Sequence, residues 1–165
     1  TAVKAAIGER YGGECTVTWT EGIVLDEACL GALGVDLEQA RLLAREVAAG
    51  FPWVERAYTF HELGEAGRRS DDPWRVLAAR CTTTERGPDV TVQLPPWHLL
   101  ALPGGTSHGS PYSYDRRIPL LFYGAGVRPG HSYERASSID ALPTLLSELR
   151  LELPAGLDGR VLELR

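Results

Sequence analysis

Apolar positions along the chain follow two rhythms, one of period two and one of period 3.6. Cys15–Thr20 alternates with Val17 and Trp19 on one face, Glu21-Gly22 turns the chain, and Ile23–Asp26 returns, so the pattern predicts a hairpin. Asp36 is placed as an N-cap with Gln39 as its capping-box partner. Leu37, Ala40, Leu43, Ala44 and Val47 then make a helical stripe that Gly50 ends. Trp53–Phe60 reads as a strand. Asp72 followed by Pro73 starts a second helix with the stripe Trp74, Leu77, Ala78 and Cys81. Val90, Val92 and Leu94 alternate as a half-buried strand stopped by Pro95-Pro96.

Further on, Pro119–Tyr123 is nearly continuous in apolar residues and bounded by Gly124, which predicts a strand buried on both faces. Asp140 can cap a helix whose first turn holds Pro143, where the missing N–H would have no intrahelical partner. Its stripe is Leu142, Leu145, Leu146 and Leu149. The expectation is an α/β fold, one mixed sheet with flanking helices. The expected organisation is a single domain or fragment over 1–165, with a strand-helix region at 1–87 and the sheet core at 88–165.

Composition narrows the function. The chain has 165 residues, 44% apolar and 24% charged, which suits one ordinary globular domain. A net charge of −5 argues against a nucleic-acid footprint. The apolar runs are too short to span a bilayer, and no signal-peptide pattern opens the chain. Lys4 is the sole lysine and follows Val3 rather than a glycine, so a P-loop is excluded. With no methionine, the chain reads as a piece of something longer. Cys15, Cys29 and Cys81 show no metal-site spacing and read as buried or free thiols.

Candidate chemistry gathers at Gly104-Gly105-Thr106-Ser107-His108-Gly109-Ser110-Pro111-Tyr112, a loop rich in small polar residues between two apolar runs. Gly105–Gly109 matches the G-x-S-x-G nucleophile elbow, with Ser107 as the serine. Yet no helical stripe follows it. A triad in the order Ser107, then Asp115 or Asp140, then His needs a late histidine, and the only one after the motif, His131, precedes Asp140. The other reading makes His108 a metal ligand beside a glycine that lets the backbone bend around an ion. His61-Glu62 lacks the second histidine of a zinc helix and reads as a helix start. His98 reads as a half-buried imidazole, and Arg116-Arg117 as solvated.

The run from Gly105 to Asp115, followed by Ile118–Gly124, resembles the C-terminal part of the alkaline phosphatase superfamily. The branch it is most similar to is that of the bacterial enzymes related to type I phosphodiesterases and nucleotide pyrophosphatases. Ser138–Leu145 and Asp158–Leu162 sit where that family has a helix start and a closing strand. The resemblance is specific over about 88–165 and looser before it, where Trp53–Leu63 is similar to the step preceding the family's last metal ligand. It implies a two-zinc hydrolase of phosphate esters working through a phosphoryl-enzyme, in a family usually exported. Of its ligands only His108 carries over, onto the zinc that activates water. The nucleophile and the D-x-x-x-H pair have no counterpart, so the resemblance implies a chain inactive in isolation; the alternative reading is a non-catalytic α/β module. It also implies an exposed sheet edge that can pair with a second copy.

Overall fold

A computed structural model describes residues 1–20, 22–83, 86–99 and 108–164. The chain divides into two compact units, Thr1–Arg116 and Arg117–Arg165.

The first unit opens with helix α1 (Ala2–Tyr11), which periodicity did not reveal because only Val3 and Ile7 on it are buried. Strands β1 (Val17–Trp19) and β2 (Gly22–Leu25) form the expected hairpin, with Val17 opposite Leu25 and Trp19 opposite Ile23. Asp26 then caps helix α2 (Glu27–Ala32) by accepting from the Cys29 N–H at 3.0 Å. Asp36 caps helix α3 (Leu37–Ala49) by accepting from the Gln39 N–H, and Gly50 closes it as predicted. Strand β3 (Arg56–Thr59) occupies the middle of the predicted 53–60 run. After the short helix α4 (Glu65–Arg68), Asp72 and Pro73 start helix α5 (Pro73–Cys81), and strand β4 (Val90–Gln93) follows.

The strands make one sheet in the order β1-β2-β4-β3, with every pairing antiparallel. The α/β architecture with helices against a sheet is therefore present, and its core lies in the first unit. Ile23 and Val90, both fully buried, face each other across the central pair. Gly22 permits that pairing: a Cβ there would lie 2.6 Å from both Pro88 and the Val90 carbonyl oxygen. On α3, Ala40, Ala44 and Ala48 carry no exposed surface, and Leu37, Leu43 and Val47 pack beside them. The small side chains let the helix come close to its neighbours.

Polar ties fix α3 to the strand ends. Arg41 donates to Asp89 at 2.8 Å, and the second Asp89 oxygen accepts from the Leu25 N–H at 2.7 Å. Glu62 accepts from the Thr59 N–H at 2.8 Å and pairs with Arg45 at 2.7 Å. His61–Leu63 is thus a turn held by Glu62 rather than a helix start. The stripe expected on α5 is displaced: Ala79 is the buried residue and Cys81 is exposed. The cysteines correct another expectation. Cys15 and Cys29 form a disulfide, with Cα atoms 5.5 Å apart, and Cys81 alone is free.

In the second unit, a 3₁₀ turn (Ser138–Asp140) leads into the long helix of that unit (Ala141–Glu148). Asp140 is buried and accepts from the N–H groups of Ser137 at 2.8 Å and Arg160 at 2.9 Å. Thr144 donates its hydroxyl to the Asp140 carbonyl at 2.6 Å and accepts from the Leu162 N–H at 2.9 Å. These bonds latch the closing segment to the helix, and a Cβ on Gly159 would collide with the Ile139 carbonyl. Three expectations fail here. Asp158–Leu162, placed as a closing strand, joins no sheet among the described residues. Pro119–Tyr123 forms no strand: no segment among the described residues pairs with it, and Leu121 and Tyr123 are exposed. The helix buries Pro143 and Thr144 instead of its leucine stripe, leaving Leu142, Leu145 and Leu149 exposed. Among the described residues, no helix is long and apolar enough to cross a membrane.

Candidate functional site

Residues 100–107 lie outside the described set, so Gly104 through Ser107 carry no structural statement, and neither does the nucleophile-elbow reading of Ser107. The described loop begins at His108, which is exposed and followed by Gly109 in a left-handed conformation, φ 91°. A side chain at that position would be strained, so the glycine is what lets the chain turn after the imidazole. The loop is closed by Asp115, which accepts at 2.8 Å from the N–H of Ser110, five residues before it. Ser110, through its side chain and its N–H, holds the Asp115 carboxyl below the usual range, and His108 adds to the effect.

Asp115 belongs to a helical turn, α6 (Ser113–Arg116), that is tied to the end of β4. The Tyr112 hydroxyl donates to the Leu94 carbonyl at 2.8 Å and accepts from Gln93 Nε2 at 3.1 Å. Tyr112 packs on Trp74 at 5.4 Å, and the Arg56 guanidinium lies 5.4 Å from the Trp74 ring. In the other direction Tyr112 stacks on Tyr114, and Tyr114 stacks on Trp97 at 4.0 Å. This ladder escaped the sequence reading, although Tyr112 and Tyr114, two residues apart beside the His108 loop, were its available signal. Nearby, Asp72 accepts from the Tyr58 hydroxyl at 3.2 Å, and burial chiefly, then Asp72, pushes that phenol up to about 12.

The other candidates separate from this loop. His98 is exposed, not half-buried, and its Nδ1 lies 3.0 Å from the Pro96 carbonyl oxygen. Arg116 and Arg117 are exposed, as expected. Both carboxylate oxygens of Asp140, the late candidate for a triad acid, are engaged by backbone N–H groups of the second unit. Among the described residues, no three His, Cys, Asp or Glu side chains converge as a metal site. A catalytic zinc requires about three protein ligands and an open position, so the described donor set does not fit one.

No protein-family profile matches the chain. It is 27% identical over 180 aligned residues to the alkaline phosphatase PhoK of a Sphingomonas species, covering 99% of this chain and 31% of that relative. It is 41% identical over 56 residues to the alkaline phosphatase PafA of Elizabethkingia meningoseptica, covering 34% of this chain and 10% of that relative. The crystal structure of wild-type PafA superimposes with a TM-score of 0.83 at 22% identity, over 98% of this chain and 31% of that one. The fold is shared, and the chain spans about a third of the length of these two proteins where the match is fullest.

Proposed function

We propose that this alkaline-phosphatase-like chain contributes sheet scaffold and one zinc ligand, His108, to a two-zinc hydrolase of phosphate monoesters or diesters. By itself it turns over no ester. The observation that carries the reading is the placement of His108: an exposed imidazole on a glycine-hinged loop closed by Asp115, in a chain alignable with an alkaline phosphatase over 99% of its length. When bound, zinc would polarise the phosphoryl oxygen and supply hydroxide at neutral pH. Because the described donors fall short of a zinc site, no reaction step is assigned to the metal. What this chain's own groups do is positional. Asp115 fixes the loop and holds negative charge beside His108, and Tyr112 anchors the loop to the sheet.

The test compares His108→Ala with Ser107→Ala in the protein as expressed from its gene, on an aryl phosphate and an aryl acetate, with and without EDTA. Chelation and His108→Ala should each lower phosphate turnover by several orders of magnitude, with Ser107→Ala near wild type. Esterase activity lost in Ser107→Ala and indifferent to chelation would overturn the reading in favour of a serine hydrolase. On residues 1–165 alone, elemental analysis should find no stoichiometric zinc; two tightly held ions would contradict the one-ligand assignment. The open sheet edges β1 and β3 are expected to pair with a second copy. Light scattering should then show a dimer or larger species, and a clean monomer would remove that part of the reading.

A further inference from the structure

Trp97 combines features that simple packing does not explain. The residue is 80% exposed, and its backbone sits in the left-handed region at φ 65°, which a bulky non-glycine residue rarely adopts. Strained backbone of this kind persists where surrounding contacts enforce it and is concentrated at ligand sites. The contacts here are specific. The Trp97 N–H donates to the Tyr114 hydroxyl at 3.0 Å, and the two rings stack at 4.0 Å with 19° between their planes. One face of the indole is therefore packed, while most of the remaining surface is open.

Beneath Tyr114, the bracing continues through Tyr112, itself bonded to Leu94 and Gln93, and on to Trp74. A ring held in this way loses little further freedom when a ligand lands on it, which is the condition for useful stacking. Tyr114 is also the immediate neighbour of Asp115, the residue that closes the His108 loop. The brace of the platform, Tyr114, and the residue that closes the His108 loop, Asp115, are thus consecutive in the chain.

We propose that Trp97, braced by Tyr114 and Tyr112, is a stacking platform for the planar aromatic leaving group of a phosphate ester, a nucleobase or an aryl ring. This rests on the phosphate-ester reading for the identity of the ligand, but the stacking needs neither metal nor turnover. Aromatic stacking accepts any flat π-face, so both sources share the same chemistry.

The experiment follows the indole N–H resonances of the chain in EDTA during titration with adenosine, adenosine monophosphate, phenyl phosphate and glycerol phosphate. The Trp97 signal is identified by its loss in Trp97→Phe; Trp19, Trp53 and Trp74 report that the fold is intact. Adenosine monophosphate, phenyl phosphate or both should shift the Trp97 signal, and glycerol phosphate should not. Trp97→Ala should weaken aromatic-ligand binding roughly tenfold, with Trp97→Phe much closer to wild type. A response to adenosine monophosphate alone assigns a nucleobase, and to phenyl phosphate alone an aryl ring. Equal response to glycerol phosphate, unchanged binding in Trp97→Ala, or no response to either aromatic ester overturns the proposal. Adenosine carries no phosphate. Its binding together with chelator-insensitive hydrolysis would sink the zinc reading and leave the platform standing; the reverse pair of results would sink only the platform.

Discussion

Residues Thr1–Arg116 and Arg117–Arg165 are held together on different terms. The first unit buries a contiguous apolar cluster from Val3 to Val90, ties α3 to the strand ends through Arg41 and Glu62, and adds a disulfide. The second turns most of its leucines outward and buries Asp140 and Thr144, whose hydrogen bonds knit the turn, the helix and the closing segment. Apolar burial is cooperative and tolerant of detail, since it scales with area removed from water. A polar latch depends on a few atoms, and a buried partner left unsatisfied costs more than the bond itself contributes. The two units should therefore fail in different ways.

The largest effect should come from Ile23→Ala, which empties the central pair with Val90 and should cost about 3 kcal/mol. Amide exchange should accelerate throughout the sheet while Leu162 in the second unit stays as protected as before. Reduction of Cys15–Cys29, which closes a separation of 14 residues, should cost about 3 kcal/mol or somewhat less, again in the first unit. Thiol titration of the denatured protein should find one free sulfhydryl before reduction and three after.

Thr144→Val keeps the shape but leaves the Leu162 N–H without its acceptor. It should cost about 1–3 kcal/mol, with exchange accelerating at Leu162 and Arg160 but not at Val92. Acid attacks the same latch. The Arg160 N–H first, then Ser137, hold the Asp140 carboxyl below its ordinary value. Its stabilising contribution is thus present above the unfolded value near pH 4 and lost as pH falls through the lower folded value. Exchange measured from about pH 5 to pH 2 should loosen the Ser137–Leu162 region before the Ile23–Val90 pair. The smallest change belongs to Leu145→Ser, on the exposed side of the second unit's helix, which should stay within about 0.5 kcal/mol. A large loss there would show that this face is covered in solution and would bring the two units onto the same terms.

The sequence was legible where signal and consequence are neighbours. Asp36 and Gln39, Asp72 and Pro73, and the alternation of Val17 and Trp19 with Ile23 and Leu25 all act within a few residues, and the structure repeats them. It was less legible wherever a second segment decides. Pro119–Tyr123 has the composition of a buried strand, but none of the described strands pairs with it. The stripe on Ala141–Glu148 has the right spacing, yet spacing names a face and not what covers it. Pairing of Cys15 with Cys29 required the hairpin and α2 to be in place before the two sulfurs could be seen as partners. For the candidate site, His108 and its glycine were readable from composition. Asp115 as the closure of the loop and Trp97 as the end of an aromatic ladder depended on side chains meeting in space.

The strand order carries a consequence in time. β4 is the last of the four described strands to be synthesised, and it lies between β2 and β3. The hairpin and the cysteine pair are complete once Cys29 has emerged, since both lie within Cys15–Cys29. β3, ending at Thr59, has no hydrogen-bonding neighbour until Val90–Gln93 arrives. At roughly 5–20 residues per second, that is a wait of about 2–7 s on the ribosome. During that interval one strand waits in search of a partner, and the growing chain is at its most vulnerable to pairing with the wrong one.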